Sequence, residues 1–378
     1  MKEYERLKAF CLSFSLSTTL AFGQAVFPKP LIVPLLDDEG SIRVPVTLFG
    51  QTNFFIVDTG SSHTALDIRF QDRLGTAVRK IREHALFRSP NILLGETPIG
   101  LKEVFCTDLS KFRLITGEPC DGILGMDFLG KHVIEVDFDQ NLLSVGAEVP
   151  QQIKQSAQTV PLALTNKLFF TVPAVLNGKL PLNLMIDSGS GRTLSLNPTD
   201  WKHAFPPNEH LPIHRLFIAG VGKEITQSRV GHLRSLEIAG QSFSNAVCAL
   251  SAMSTVPSSI GVRFLRRYLV TVDGPNHRLY LRQRTQTQNE EELDMSGLHI
   301  LRRDEVTFVH SVDEGSPAAN AGVRAGDGIA SINGVDSRLL EMKHIRRILK
   351  LGPGEKISLV INHDGRAIDV EFNLKRFL

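Results

Sequence analysis

The sequence predicts a mainly β protein, with two tandem β-lobes followed by a small α+β module. Three observations carry this reading. A strand-and-turn unit occurs twice within the first 283 residues. Long helical periodicity is absent between residues 30 and 282. Beyond a stretch at 284–292 rich in Gln, Thr and Glu, the texture changes to short strands and helices. The 378 residues, 42% hydrophobic and 22% charged, suffice for two or three folded domains and argue against extended disorder. A net charge of +2, spread along the chain, leaves no basic patch for nucleic acid. Four cysteines exclude a disulfide-built scaffold. No CxxC or clustered Cys/His spacing suggests a metal, and Pro212 between His210 and His214 argues against helical ligation there.

Residues 1–25 read as a secretory signal peptide. Lys2, Arg6 and Lys8 offset Glu3 and Glu5, Ala9–Phe22 is apolar, and Gly23-Gln24-Ala25 has small residues where cleavage would fall. The apolar run, about 14 residues, is short for a spanning helix of about 20. The expectation is a mature chain starting near Val26, secreted or periplasmic in the cell envelope, with no membrane span after cleavage. Cys106, Cys120 and Cys248 would remain. Cys106 and Cys120 could pair in an oxidising compartment, but buried free thiols are the preferred reading.

The repeat has two landmarks in the same order. Phe54-Phe55-Ile56-Val57-Asp58-Thr59-Gly60-Ser61 recurs as Asn183-Leu184-Met185-Ile186-Asp187-Ser188-Gly189-Ser190. Gly122-Ile123-Leu124-Gly125-Met126-Asp127-Phe128-Leu129 recurs as Ser258-Ser259-Ile260-Gly261-Val262-Arg263-Phe264-Leu265. The offsets are 129 and 136 residues, and each second landmark leads into a strand, a turn and a strand. Turn signals stand at Asn177-Gly178 and Ala239-Gly240. The lobes are placed at 30–148 and 158–283, joined by polar Gln151–Ser156.

An apolar strand ending in Asp-(Thr/Ser)-Gly presents one carboxylate, and a duplicated lobe presents two. Like charges at contact cannot both ionise easily, so such a pair holds one proton. The ionised member can activate a water, and the protonated member can polarise a peptide carbonyl. Asp58 and Asp187 fit that chemistry without a cofactor. Gly60 and Gly189 are expected to allow the tight turn, Thr59 and Ser188 to bond across to the opposite loop, and Ser61 and Ser190 to donate to the aspartates.

On these residues, residues 30–283 resemble the aspartic proteases. The lobes look closer to retropepsin-like units fused in tandem than to full pepsin-like lobes. The resemblance implies two closed acid-protease β-barrel lobes, a cleft between them, Asp58 and Asp187 as the catalytic dyad, and Ile123-Leu124-Gly125 packed beneath the loop. Gly220-Val221-Gly222 looks like a flexible flap, with a first-lobe counterpart near Phe87–Asn91. Where the first lobe has Ile123 the second has Ser259, which predicts a less rigid second lobe.

In the C-terminal part, Leu298–Ile300 and Val306–Val312 read as strands, and Pro317–Ala321 as a short helix capped by Ser316 and ended by Gly322. Gly328–Ile332 is a strand, Asn333-Gly334 a turn, Arg338–Leu351 a helix stopped by Gly352-Pro353-Gly354, and Ile357–Asn362 with Ala367–Asn373 a hairpin. Ser296-Gly297-Leu298-His299-Ile300, Gly315-Ser316-Pro317-Ala318-Ala319, Gly326-Asp327 and Ile329–Val335 resemble a PDZ domain over 293–378, after the 284–292 linker. That implies peptide binding along Gly297, Leu298, His299 and Ile300, with backbone N–H groups holding a C-terminal carboxylate. The combined expectation is an aspartic endopeptidase acting on peptide or protein substrates, whose PDZ domain recruits or regulates them. The alternative is an inactive protease-like scaffold that binds peptides through the PDZ domain.

Overall fold

The computed structural model describes residues 29–37, 40–81, 84–165, 168–206, 214–218, 226–251, 254–284 and 292–376. The signal-like segment and Gly220-Val221-Gly222 lie outside them. The fold is mainly β, with barrel-like sheets.

The strand β1 (Gln51–Val57) shows how the first unit is built. Its polar start, Gln51 and Thr52, is exposed, whereas Phe55-Ile56-Val57 is buried on both faces. A strand buried on both faces reads as a continuous apolar run, and this one delivers Asp58 from the interior. The helix α1 (Ser110–Thr116) precedes β2 (Gly122–Leu124), which lies parallel to β1 with Leu124 opposite Val57. β3 (Val133–Asp137) follows. The second unit repeats the design. In β4 (Leu180–Ile186), Leu184-Met185-Ile186 is buried, and β5 (Ser259–Ile260) pairs parallel to it, with Ile260 opposite Ile186.

The two sheets share a strand order. In the first, Arg79–Ile81, His84–Arg88, Glu103–Thr107, Ala65–Asp67, β2, β1 and Ile42–Leu48 are successive neighbours. In the second, His214–Ile218, Thr226–Ile238, Gln241–Leu250, Leu194–Leu196, β5, β4 and Phe169–Leu176 follow the same sequence. Phe169–Leu176 also pairs with Thr226–Ile238, which curls the second sheet closed. The predicted turns are present: Asn177-Gly178 and Ala239-Gly240 all have φ between 52° and 68°.

A third sheet joins the units. Its order is Leu31–Pro34, Leu142–Gly146, β3, β6 (Tyr268–Asp273), Arg278–Gln283 and Gln158–Pro161. The seam is the antiparallel pair β3–β6, from Val133 opposite Asp273 to Val136 opposite Val270. Each unit contributes three strands in mirrored order, so the units are related by a pseudo-two-fold axis. One hydrophobic cluster runs through both, from Val44 and Phe55 to Val172 and Leu281.

Gln151–Ser156, the polar joint, is a short helix that Ile153 anchors on Val133, Val149 and Tyr280. One expectation changes here. Phe87 cannot tip a flap: it is buried in the core on His84–Arg88. The strand pair equivalent to His214–Ile218 and Thr226–Ile238 is Arg79–Ile81 with His84–Arg88, and residues 82–83 between them lie outside the described residues.

The C-terminal module has its own core, including Leu298, Val309, Ile345 and Ile357. β7 (Leu298–Arg303) is the edge of its sheet, paired with Val306–Val312. Ser316 caps Pro317–Asn320, accepting from Ala319 N–H at 3.1 Å. The predicted helix Arg338–Leu351 is shorter. Asp336 caps a single 3-10 turn, Ser337–Leu339, Leu340 is extended, and α2 (Met342–Ile348) starts after it. No described helix is long and apolar enough to cross a membrane.

Cys106, Cys120 and Cys248 are free thiols. Burial pushes Cys106 and Cys120 up to about 12 and Cys248 well above its ordinary value. The thiolate is the reactive form. Iodoacetamide at pH 8 is therefore expected to leave all three unmodified in the folded chain and to label them in denaturant. Mass spectrometry would read this, and rapid native labelling of Cys106 would contradict it.

Candidate active site

The ends of β1 and β4 bring Asp58 and Asp187 together at the two-fold axis. Asp58 N–H donates to Leu124 O (3.0 Å), and Asp187 N–H donates to Ile260 O (2.9 Å). Each loop is thus hung on the parallel strand beside it. Beneath them, Met126 N–H donates to Ser61 O and Val262 N–H to Ser190 O, both at 2.8 Å. Gly125 and Gly261 permit this approach, since a Cβ would lie 2.4 Å from His63 C and from Ser190 O respectively.

The loops are cross-linked by a reciprocal set of hydrogen bonds. Thr59 N–H donates to Ser188 Oγ (3.0 Å), and Ser188 N–H donates to Thr59 Oγ1 (3.0 Å). The hydroxyls donate onward, Thr59 Oγ1 to Ile186 O and Ser188 Oγ to Val57 O, both at 2.8 Å. Each hydroxyl is donor and acceptor at once, and both residues are buried. The expected bonding across the loops is therefore present.

The glycines act differently from the expectation. Neither Gly60 nor Gly189 has a left-handed φ. They leave room for the opposite carboxylate. A Cβ on Gly60 would lie 2.5 Å from Asp187 Oδ1 and 3.1 Å from Asp58 Oδ1, so both carboxylates converge on one point. A Cβ on Gly189 would lie 2.3 Å from Asp58 Cγ. Gly60 N–H also donates to Asp58 Oδ1 at 2.7 Å.

The serines need correction as well. Ser61 Oγ donates to His63 O (2.9 Å), a partner two residues on, rather than to Asp58. Ser190 supports its loop through the backbone, its N–H donating to Asp187 O at 3.1 Å. Nor does the altered second landmark loosen β5. Ser258 Oγ donates to Asp200 Oδ2 (2.5 Å) and accepts from Asn197 N–H (3.0 Å), while Ser259 is buried opposite Met185. The carboxylate of Asp127 is a feature the sequence reading missed. It accepts from Thr64 N–H (3.0 Å) and Thr64 Oγ1 (2.8 Å), and burial raises its pKa. A lone Asp in an apolar run gave no signal of that role.

A second candidate site lies between β7 and α2. Gly297 has φ 77°, and a Cβ there would lie 2.2 Å from Ser316 Cβ. Of the N–H groups expected to hold a ligand carboxylate, on Gly297, Leu298 and His299, the first two are already engaged, and so is that of Ser296 before them. Ser296 N–H and Gly297 N–H donate to Asp294 Oδ1 at 2.8 and 2.9 Å, and Leu298 N–H donates to Ser296 Oγ at 3.0 Å. Ser296 Oγ itself donates to Asp294 Oδ1 at 2.6 Å. Asp294 thus fills the nest of amides from inside. Of the other predicted groove residues, Ile300 points into the module's core and His299 Nε2 lies 3.0 Å from Asp313 Oδ1. The sequence reading passed over Asp294, although Asp-x-Ser-Gly is the composition of a side-chain-capped turn.

Residues 308–362 match the PDZ domain family, so the C-terminal module is a PDZ domain. PDZ domains bind peptide or protein ligands. No curated protein matches the chain. Among solved structures, a photosystem II D1 C-terminal processing protease is 18% identical over 24% of this chain and 25% of its own, with a TM-score of 0.22. A retropepsin-like aspartic protease from Rickettsia conorii is 20% identical over 33% of this chain and 90% of its own, with a TM-score of 0.27. The chain thus spans about a quarter of the first of these.

Proposed function

We propose that this protein is an aspartic endopeptidase, with residues 30–148 and 158–283 as its two lobes, 284–292 as a linker, and a PDZ domain that engages protein substrates. The observation that carries the reading is the convergence of Asp58 and Asp187 from two symmetry-related loops, over glycines that leave room for nothing else. The reciprocal bonds of Thr59 and Ser188 support it by fixing the separation of the two carboxylates.

In this mechanism one carboxylate of the pair is ionised and the other protonated. The ionised one takes a proton from a water held between them, and that water attacks the peptide carbon. The protonated one hydrogen-bonds the carbonyl oxygen, and a proton then passes to the leaving amine. No resident cofactor is needed. The signal-like composition of residues 1–25 supports a reading in which this work is done outside the cytoplasm, in the secreted or periplasmic space.

The direct test is turnover of a mixed, quenched-fluorescence peptide library from pH 3 to pH 8. Cleavage with a maximum at acidic pH is the expected result. Silence across that range, from a chain that still binds peptide, would favour the inactive scaffold.

A further inference from the structure

Helix α1 is an addition to the first unit. It lies in the connection between Glu103–Thr107 and β2, and the equivalent connection from Leu250 to Ser259 holds no helix among its described residues. Every residue from Lys111 to Glu118 is half-buried, so α1 has no fully solvated face.

What covers it is the PDZ domain. α1 packs along β7, the edge strand of that domain's sheet. The turn that ends α1 reaches both walls of the groove. A Cβ on Gly117 would lie 2.5 Å from Met342 Cγ on α2 and 3.3 Å from Arg302 Cδ on β7. Arg346, one turn along α2 from Met342, donates to Ile115 O. Leu301 on β7 is only 5% exposed, yet it is not part of the domain's own core cluster. An edge strand offers unpaired backbone groups to an added strand, and a PDZ ligand uses that offer. Here the first unit stands where the ligand would run, and Asp294 holds the amides at the groove's other end.

We infer that the PDZ groove is closed by the chain's own helix α1, and that the partner it fits is an internal, extended apolar segment that displaces α1 along β7, with no terminal carboxylate required. α1 is a helix and adds no strand to β7, whose sheet partner is Val306–Val312 on one side, so an extended segment pairing with the whole of β7 gains backbone hydrogen bonds that α1 does not make. A filled amide nest leaves no site for a terminal carboxylate, which removes the usual preference for chain ends.

This inference rests on the peptide-docking half of the proposed function and needs nothing of the dyad. Its test therefore uses the full chain carrying Asp187→Asn, where peptidase activity plays no part. The opening variant is Gly117→Asn. Asparagine tolerates the φ of 70° at this cap, but its Cβ enters the space of Met342. Two pools of fluorescein-labelled decapeptides, apolar at alternate positions, serve as probes, one with free C-terminal carboxylates and one amidated.

Gly117→Asn is expected to bind both pools at least 10-fold more tightly than the parent, and both pools alike. Amide hydrogen exchange over Leu298–Arg303 is expected to accelerate about 10-fold, because the covered edge is released. Exchange over Lys356–His363, in the interior of the same sheet, should stay at the parental rate, which separates undocking from unfolding. Arg346→Ala, which leaves the first unit untouched, should shift binding in the same direction by a smaller factor. Unchanged exchange and binding in both Gly117→Asn and Arg346→Ala would overturn the closure, and a 10-fold preference for the free-carboxylate pool would overturn the ligand class.

Discussion

Replacing Asp187 by Asn is expected to lower peptide turnover by roughly 10²–10⁴-fold or more, the range associated with a positioned acid or base. Asp58→Asn should do the same. The reason is geometric. The oxygens of both carboxylates converge on one point above Gly60, where the proposed mechanism has a single water and a single proton serve the pair. Asn keeps the shape and can still donate a hydrogen bond, but it cannot take a proton from water. Because the two groups act as a unit, the double variant should be no worse than either single one. The melting temperature should stay near wild type, since the bonds of Thr59 and Ser188 do not involve either carboxylate. Turnover by either single variant at the wild-type rate would end the dyad assignment, and a collapsed melting transition would make the aspartates structural instead.

Thr59→Val should have the second largest effect, and on stability as well as rate. Valine has nearly the same shape, so packing is preserved. The hydroxyl is lost, and with it the donor to Ile186 O and the acceptor of Ser188 N–H. Both orphaned groups lie in a buried junction. Each buried unsatisfied polar group costs about 1–3 kcal/mol. The expected loss is roughly 2–6 kcal/mol, a fall in Tm of roughly 4–24 °C for a body of this size. The junction also sets the spacing of the carboxylates, so turnover should fall even at temperatures where the variant is folded. Thr59→Ser, which restores the hydroxyl, should recover most of both. Equal Tm values for the wild type and Thr59→Val would show that this junction does not bind the units together.

Much of this architecture was legible in the chain itself. The repeated strand-Asp-(Thr/Ser)-Gly segment identifies two copies of one unit, because a loop bearing a carboxylate needs the same apolar run and the same small residue each time. The offset of 129 residues holds for the aspartates and again for Ala65–Asp67 against Leu194–Leu196. In the C-terminal module the helix start at Ser316 and the turn at Asn333-Gly334 follow from local rules, as does Asn177-Gly178 in the second unit, which is why they stand where composition placed them.

Other roles depended on groups distant in sequence. Gly60 is needed for a carboxylate 127 positions away, not for its own backbone angles, and no local pattern encodes that distinction. Ser61 turned to a carbonyl two residues on because that partner was within reach. The seam β3–β6 exists only when both copies are folded. The placement of α1 along β7 likewise exists only when the first unit and the C-terminal module are both folded. Residue types and spacing determined which loops can carry chemistry. Only the tertiary structure decided what each small residue makes room for and what lies in each groove, because those are properties of surfaces that meet after the chain has folded.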